Sequence, residues 1–288
     1  MQTRRSGCGR TTAERWIFVG RRDDTPPPRQ PAPAPPVQAP PVQNPESPGP
    51  VRWEDSFERA DIRQGWGAVQ ELQSDHTART STAHARDGVR SARFEVRDGD
   101  IAESSTDERQ QLSDARMPDG SSFRPNEGDD FYVAISLWFE PGFPFAEGDA
   151  AWQVYLPFVS FDARGSGPAK LGSGSHLRFE GVEDVPWLDS EPTATGGWHD
   201  FVLHLKFSQD PRIGLLEIWH RTPPESDYVR ETFDNGRQTR HFATLLEPSA
   251  YLKLGIYRDG RFTRTGVLYV DRIKVAERFV SVAIPPGT

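Results

Sequence analysis

The stretch Phe131–Phe139, FYVAISLWF, reads with a period of two. Phe131, Val133, Ile135, Leu137 and Phe139 share one face of an extended chain, and Tyr132, Ala134, Ser136 and Trp138 share the other. A helix would space its apolar residues by three and four, so the segment predicts a strand. Phe201–Phe207, FVLHLKF, repeats the pattern: Phe201, Leu203, Leu205 and Phe207 alternate with Val202, His204 and Lys206. Similar runs lie at Ala92–Val96, Gln153–Phe161, His176–Phe179, Leu215–His220, Tyr251–Tyr257 and Val267–Val275. Turn signals separate them, among them Arg97-Asp98-Gly99-Asp100, Gly165-Ser166-Gly167-Pro168, Gly196-Gly197 and Asp234-Asn235-Gly236. No long run keeps a helical stripe; Asp107–Ala115 comes nearest and lacks apolar anchors. The expected fold is all-β, a two-sheet antiparallel β-sandwich of the jelly-roll, concanavalin A-like kind.

Composition sets the limits around that sandwich. The chain has 288 residues, 35% hydrophobic and 26% charged, which suits one large domain with a tail. Residues 25–50 hold 12 of the 26 prolines and no aromatic residue, so a Pro-rich extended linker is expected there. Residues 1–24 read as a disordered basic leader with six arginines, and the folded domain is expected over 51–288. The leader's apolar cluster, Trp16–Val19, is shorter than the ~7–15 residues of a secretory signal core, so no signal peptide is visible. The true start is then misassigned, the signal unconventional, or the protein cytoplasmic. No apolar run approaches the ~20 residues of a membrane-spanning helix. With Cys8 alone, an internal disulfide, a multi-cysteine zinc site and an iron–sulfur cluster are excluded. A net charge of −8 argues against bulk nucleic-acid binding.

Tyr251–Arg258, YLKLGIYR, is the segment most suggestive of chemistry. As a strand it sends Leu252, Leu254 and Ile256 inward, while Tyr251, Lys253, Gly255 and Tyr257 project from the opposite face. Two phenols and an ammonium about a glycine, which would leave room above the sheet, suit a groove for a sugar bearing a carboxylate. An ordinary solvent-exposed strand face reads the same way. Between Tyr251 and Arg278 there are seven Lys or Arg against three Asp or Glu, a local excess that would favour a polyanion.

The segment Tyr251-Leu252-Lys253-Leu254-Gly255-Ile256-Tyr257 resembles the Tyr-x-Lys-x-Gly-x-Tyr strand of the jelly-roll polysaccharide lyases, the superfamily of alginate, glucuronan and type-I heparin lyases. Trp198-His199-Asp200-Phe201, Ser208-Gln209-Asp210-Pro211, Leu216-Glu217-Ile218-Trp219 and Leu268–Val275 extend the resemblance, as do Gly88–Val96 and Glu108-Arg109-Gln110-Gln111-Leu112 upstream. It spans about residues 52–275 and implies β-elimination on a uronic-acid-containing polysaccharide. By position it implies Tyr257 as the proton-transferring residue, with Lys253 and Arg109 contacting substrate carboxylates. It further implies an acidic polysaccharide as partner and a secreted or cell-envelope protein; a monomer is expected.

Members of the superfamily carry Gln-x-His on a central strand, where the stretch Trp152–Phe161, WQVYLPFVSF, has Pro157 and Val159; Gln111 also stands for the Glu of Arg-x-Glu-Leu. Two expectations follow. Either Tyr257 serves as base and acid, as a phenolate favoured by Lys253, Arg109 or Arg258, or the chain is a non-catalytic carbohydrate-binding module. Tyr251, Arg258, His176, Arg178 and His204 are the further candidates for substrate contact, His176 being the nearest substitute for a missing base. His199 reads as structural. A hydrolase would need two carboxylates ~5–9.5 Å apart, and the Tyr251–Tyr257 strand offers no acidic pair. No cofactor and no catalytic metal are expected; Glu54, Asp55 and Asp271 could offer oxygen ligands to a structural calcium if the terminal strands pair.

Overall fold

The computed structural model describes residues 47–71, 75–101, 107–150, 152–160, 167–181, 185–189, 193–222 and 227–285. The leader 1–24 and all but the last four residues of the Pro-rich segment lie outside them. Sixteen strands form among the described residues. The first eight are β1 (Val51–Asp55), β2 (Trp66–Glu71), β3 (Arg79–Ser81), β4 (Ser91–Val96), β5 (Glu108–Ala115), β6 (Asp130–Phe139), β7 (Gln153–Ser160) and β8 (Ala169–Ser173). The rest are β9 (Leu177–Glu180), β10 (Trp187–Leu188), β11 (Trp198–Lys206), β12 (Leu215–Arg221), β13 (Val229–Arg230), β14 (Arg240–His241), β15 (Ala250–Arg258) and β16 (Gly266–Ala276). One short helix follows, α1 (Phe279–Val282).

The strands make two antiparallel sheets. In the first the order is β13-β12-β11-β6-β16-β4-β3, with β1 also on β16 and β14 on β12; in the second it is β10-β9-β8-β7-β15-β5-β2. Burial explains why they stack. The inward residues of β6 are at most 8% exposed, and Phe201, Leu203 and Leu205 of β11 meet Leu252, Leu254 and Ile256 of β15 in one core. Each such side chain contributes about 1.5–3 kcal/mol over an exposed one. On the outer face of the first sheet, α1 covers Ala134 and Val202. There too, buried Asp200 binds Arg86, Arg221 and Ser136. The outer face of the second sheet carries the groove described below.

Two local departures from simple alternation shape that face. β5, the segment nearest to a helical reading, is a strand beside β15, and its pattern is masked because polar groups line both of its sides. Inward, Glu108 binds Arg258, while Gln110 accepts from the Glu95 amide and donates to the His76 carbonyl. Outward stand Arg109, Gln111 and Ser113, opposite Tyr257, Gly255 and Lys253. In β7 the register with β8 shifts between Val154 and Leu156. Tyr155 and Leu156 are both core residues, so Val154, Pro157 and Val159 come to face outward together. The ladder to β15 is interrupted opposite Pro157, where proline has no N–H to offer.

Candidate active site

On the outer face of the second sheet, strands β5, β15, β7, β8 and β9 wall a groove of about 460 Å³. Tyr251, Lys253 and Tyr257 rise into it from β15, with Arg109 and Gln111 from β5. Trp152, Val154, Pro157 and Val159 form the central wall, and Lys170 and Glu180 close the far side. The three residues given reacting roles by the family resemblance, Tyr257, Lys253 and Arg109, therefore converge on one cavity.

The Tyr257 ring is held on two sides. The Arg109 guanidinium lies 4.2 Å from its centroid, and Trp152 meets it edge-on at 5.0 Å. Its hydroxyl donates to Asp107 Oδ2 at 3.1 Å. Burial raises the phenol's pKa, the positive charge of Arg109 opposes that, and Asp107 pushes it further up. The resting side chain is thus a protonated phenol, and the phenolate expectation is corrected on this point: desolvation outweighs the cations.

Lys253 is 9% exposed, with Nζ donating to Gln70 Oε1 at 2.9 Å and lying 5.6 Å from the Tyr251 ring centroid. Burial, helped by the charge of Arg109, lowers its pKa from the ordinary 10.5 to about 8. Burial makes the ammonium easier to deprotonate in the folded chain than in the unfolded one, so Lys253, taken by itself, adds folding stability as pH rises between those values. A bound carboxylate works in the opposite sense. For any carboxylate-bearing ligand of this groove, affinity is expected to hold below about pH 8 and weaken above it as Lys253 loses its proton. Apparent KM against pH checks this, and Lys253→Met is expected to flatten the rise.

Tyr251 lies between Lys253 and Arg124, whose guanidinium is 5.5 Å from its ring, and burial raises its pKa too. Gln111 is 1% exposed, and its amide Nε2 has no hydrogen-bond partner among the described residues. A buried donor left in that state is stabilised by any acceptor that enters the groove. Gly255 serves a different purpose from the open floor expected of it. Its φ is +134°, and a Cβ there would come within 2.2 Å of the Gln110 carbonyl oxygen, so the close approach of β5 requires glycine.

Other candidates fall elsewhere. Arg258 points to the opposite side of β15, where it is fully buried and bound to Glu108 at 2.6 Å, so it is an interior ion pair with no place in the groove. His204 belongs to the other sheet, between Glu217 and Asp130 at 2.9 and 2.6 Å. Burial depresses its imidazole, but those two carboxylates outweigh it and its pKa rises. His176 precedes β9 and pairs through Nδ1 with the Asp189 carbonyl at 2.9 Å, outside the lining. Arg178 reaches the groove only through Glu180, which it binds at 2.5 Å while Lys170 holds the same carboxylate at 3.3 Å. His199 is buried against the Ala194 carbonyl and His220, a structural position.

The local cationic excess is mostly spent on pairing: Arg261 binds Asp259, Arg264 approaches Glu147, Arg272 binds Asp87 and Lys274 binds Glu54. Of the cations between Tyr251 and Arg278, Lys253 is the one in the groove lining. Calcium ligation by Glu54, Asp55 and Asp271 meets the same obstacle. β1 does pair with β16, yet Asp55 is taken by Phe57 N, Trp66 Nε1 and Arg59, and Asp271 by three backbone amides. No group of three or more metal-ligating side chains occurs among the described residues.

Fold and face together define a β-sandwich with a groove on the second sheet, lined by Arg109, Lys170 and Lys253 and by the phenols Tyr251 and Tyr257. The chain belongs to the polysaccharide lyase family, whose model matches residues 57–274. Solved structures of similar fold include the endo-β-1,4-glucuronan lyase of the fungus Trichoderma reesei, at 13% identity and TM-score 0.59, covering 81% of this chain and 98% of that one. The catalytic domain of a glycoside hydrolase family 131 protein from Coprinopsis cinerea scores the same at 13% identity, covering 82% and 98%. A PL-14 alginate lyase from Aplysia kurodai gives TM-score 0.54 at 11% identity, covering 78% and 98%. No curated protein matches the chain. Among the described residues no helix is long and apolar enough to cross a membrane.

Proposed function

We propose that this protein cleaves a uronic-acid-containing polysaccharide by β-elimination. The observation that carries the reading is the convergence of Tyr257, Lys253 and Arg109 on one groove. A uronate C5 proton becomes acidic only when the neighbouring carboxylate is neutralised, because the developing enediolate must be stabilised in place. Arg109 offers a planar fork and Lys253 a compact charge for that purpose, and the Gln111 amide adds a donor that needs no reorganisation. Tyr257, beside Arg109, takes the C5 proton and protonates the departing O4. Lys170, paired with Glu180, closes the far side of the groove, and Trp152 gives a surface for a sugar ring. A polymer substrate of this kind accords with a secreted or cell-envelope protein.

A second reading, a carbohydrate-binding module without catalysis, is favoured by the central wall. Val154, Pro157 and Val159 face the groove and offer no titratable group. The two readings separate when the purified protein is incubated with glucuronan, alginate and heparin-type polymers under an absorbance assay for the conjugated C4=C5 product. Rising absorbance with one of them is the expected result; binding without product would support the module instead.

A further inference from the structure

The lyase reading leaves one step short of a partner. Tyr257 stands protonated at rest, and the central strand provides no histidine to free it. We propose that Asp107 is the positioning and proton-holding partner of Tyr257, receiving the phenolic proton while the phenol oxygen takes the C5 proton of the substrate. The inference rests on the β-elimination reading and adds to it a residue outside the family resemblance.

The geometry is specific. Asp107 immediately precedes β5 and, by alternation, lies on the same side of the strand as Arg109 and Gln111. Its Oδ2 accepts the Tyr257 hydroxyl hydrogen at 3.1 Å. The phenol oxygen that donates to Asp107 has two lone pairs; Arg109 hydrogen-bonds to the same side chain, which leaves one lone pair for a substrate proton where the ring lines the groove. Arg109 lies against the same ring, 4.2 Å from its centroid, and holds its plane.

The exchange balances. The C5–H bond breaks and its proton joins the phenol oxygen, as the original phenolic proton moves to Asp107. The C5–H electron pair becomes the C4=C5 double bond, and the C4–O4 bond breaks with its electrons going to O4. O4 then takes a proton from Tyr257, and Asp107 returns its own to the phenol. A neutral phenol thus acts as base and then acid without a free phenolate. The raised pKa of Tyr257, to which Asp107 contributes by charge and hydrogen bond, agrees with the pairing.

The test uses Asp107→Asn and Asp107→Glu in the full chain, with thermal unfolding as the folding control. For Asp107→Asn we expect kcat to fall about 100-fold with KM within about twofold of the parent, within the usual range of a lost proton-transfer partner. Asp107→Glu is expected to recover part of that rate. In protein with isotope-labelled tyrosine, the Tyr257 phenol should titrate at lower pH in Asp107→Asn, the resonance being assigned by its absence in Tyr257→Phe. An unchanged kcat, or a loss carried wholly by KM, would overturn the relay while leaving the lyase reading intact. Absence of cleavage by the unaltered protein on every uronate polymer would overturn both.

Discussion

Tyr257→Phe is expected to lower turnover about 1,000-fold, within the range that general acid–base groups contribute, while the protein stays folded. The substitution removes one oxygen. The ring keeps its edge contact with Trp152 and its face to Arg109, and the inward side of β15, where Leu252, Leu254 and Ile256 are fully buried, is untouched. Polymer affinity should change little, because Arg109, Lys253 and Gln111 still line the groove. Saturating rates with the best polymer, together with the unfolding midpoint of each form, check this. A variant that loses binding and turnover equally would place the hydroxyl in ground-state recognition instead.

The largest effect on stability is expected at Glu108 and Arg258. Both side chains are fully buried, and they join β5 to β15 at 2.6 Å, next to the cross-strand pair of Arg109 and Tyr257. Glu108 also accepts the Gly99 amide, and Arg258 donates to the Arg264 carbonyl. Glu108→Gln leaves a guanidinium in the interior without its counter-charge, which costs about 3–5 kcal/mol in comparable settings. For a domain of this size that is a fall of roughly 10 °C in Tm. The double variant Glu108→Met with Arg258→Met removes both charges and is expected to regain most of the loss, since well-packed apolar replacements of buried pairs are often neutral. Thermal melts of the three proteins decide it. Glu108→Gln melting with the parent would show that the pair does not fix the register beside the site.

Much of this fold is legible in the amino-acid sequence. Strands such as Phe131–Phe139 and Tyr251–Tyr257 declare themselves because one face is oily and the other is not, and that contrast is local. β5 is not legible in this way. Its inward Glu108 and Gln110 are satisfied by Arg258, the Glu95 amide and the His76 carbonyl, partners up to 150 residues distant that no window of sequence contains. The β7 bulge hides for a similar reason, since one extra residue moves Tyr155 and Leu156 inward together.

The candidate site divides along the same line. Tyr251, Lys253 and Tyr257 follow from alternation, and alternation also turns Arg258 away from them, so its place in the interior is readable once strand geometry outweighs its charge. His204 and His176 stand out as titratable groups near patterned strands, but their neighbours come from other strands and loops. Lys170, Glu180 and Trp152 carry no local signal, and Asp107 acquires meaning only through the Tyr257 hydroxyl across the sheet.

The most direct measurement is a mass spectrum of the oligosaccharides released when the purified protein digests its preferred uronate polymer. The expected products carry a new non-reducing end with a C4=C5 double bond, each lighter by one water than the corresponding hydrolysis fragment. Saturated fragments bearing that water, or a polymer bound yet recovered at full length, would contradict an elimination carried out by Tyr257, Lys253 and Arg109.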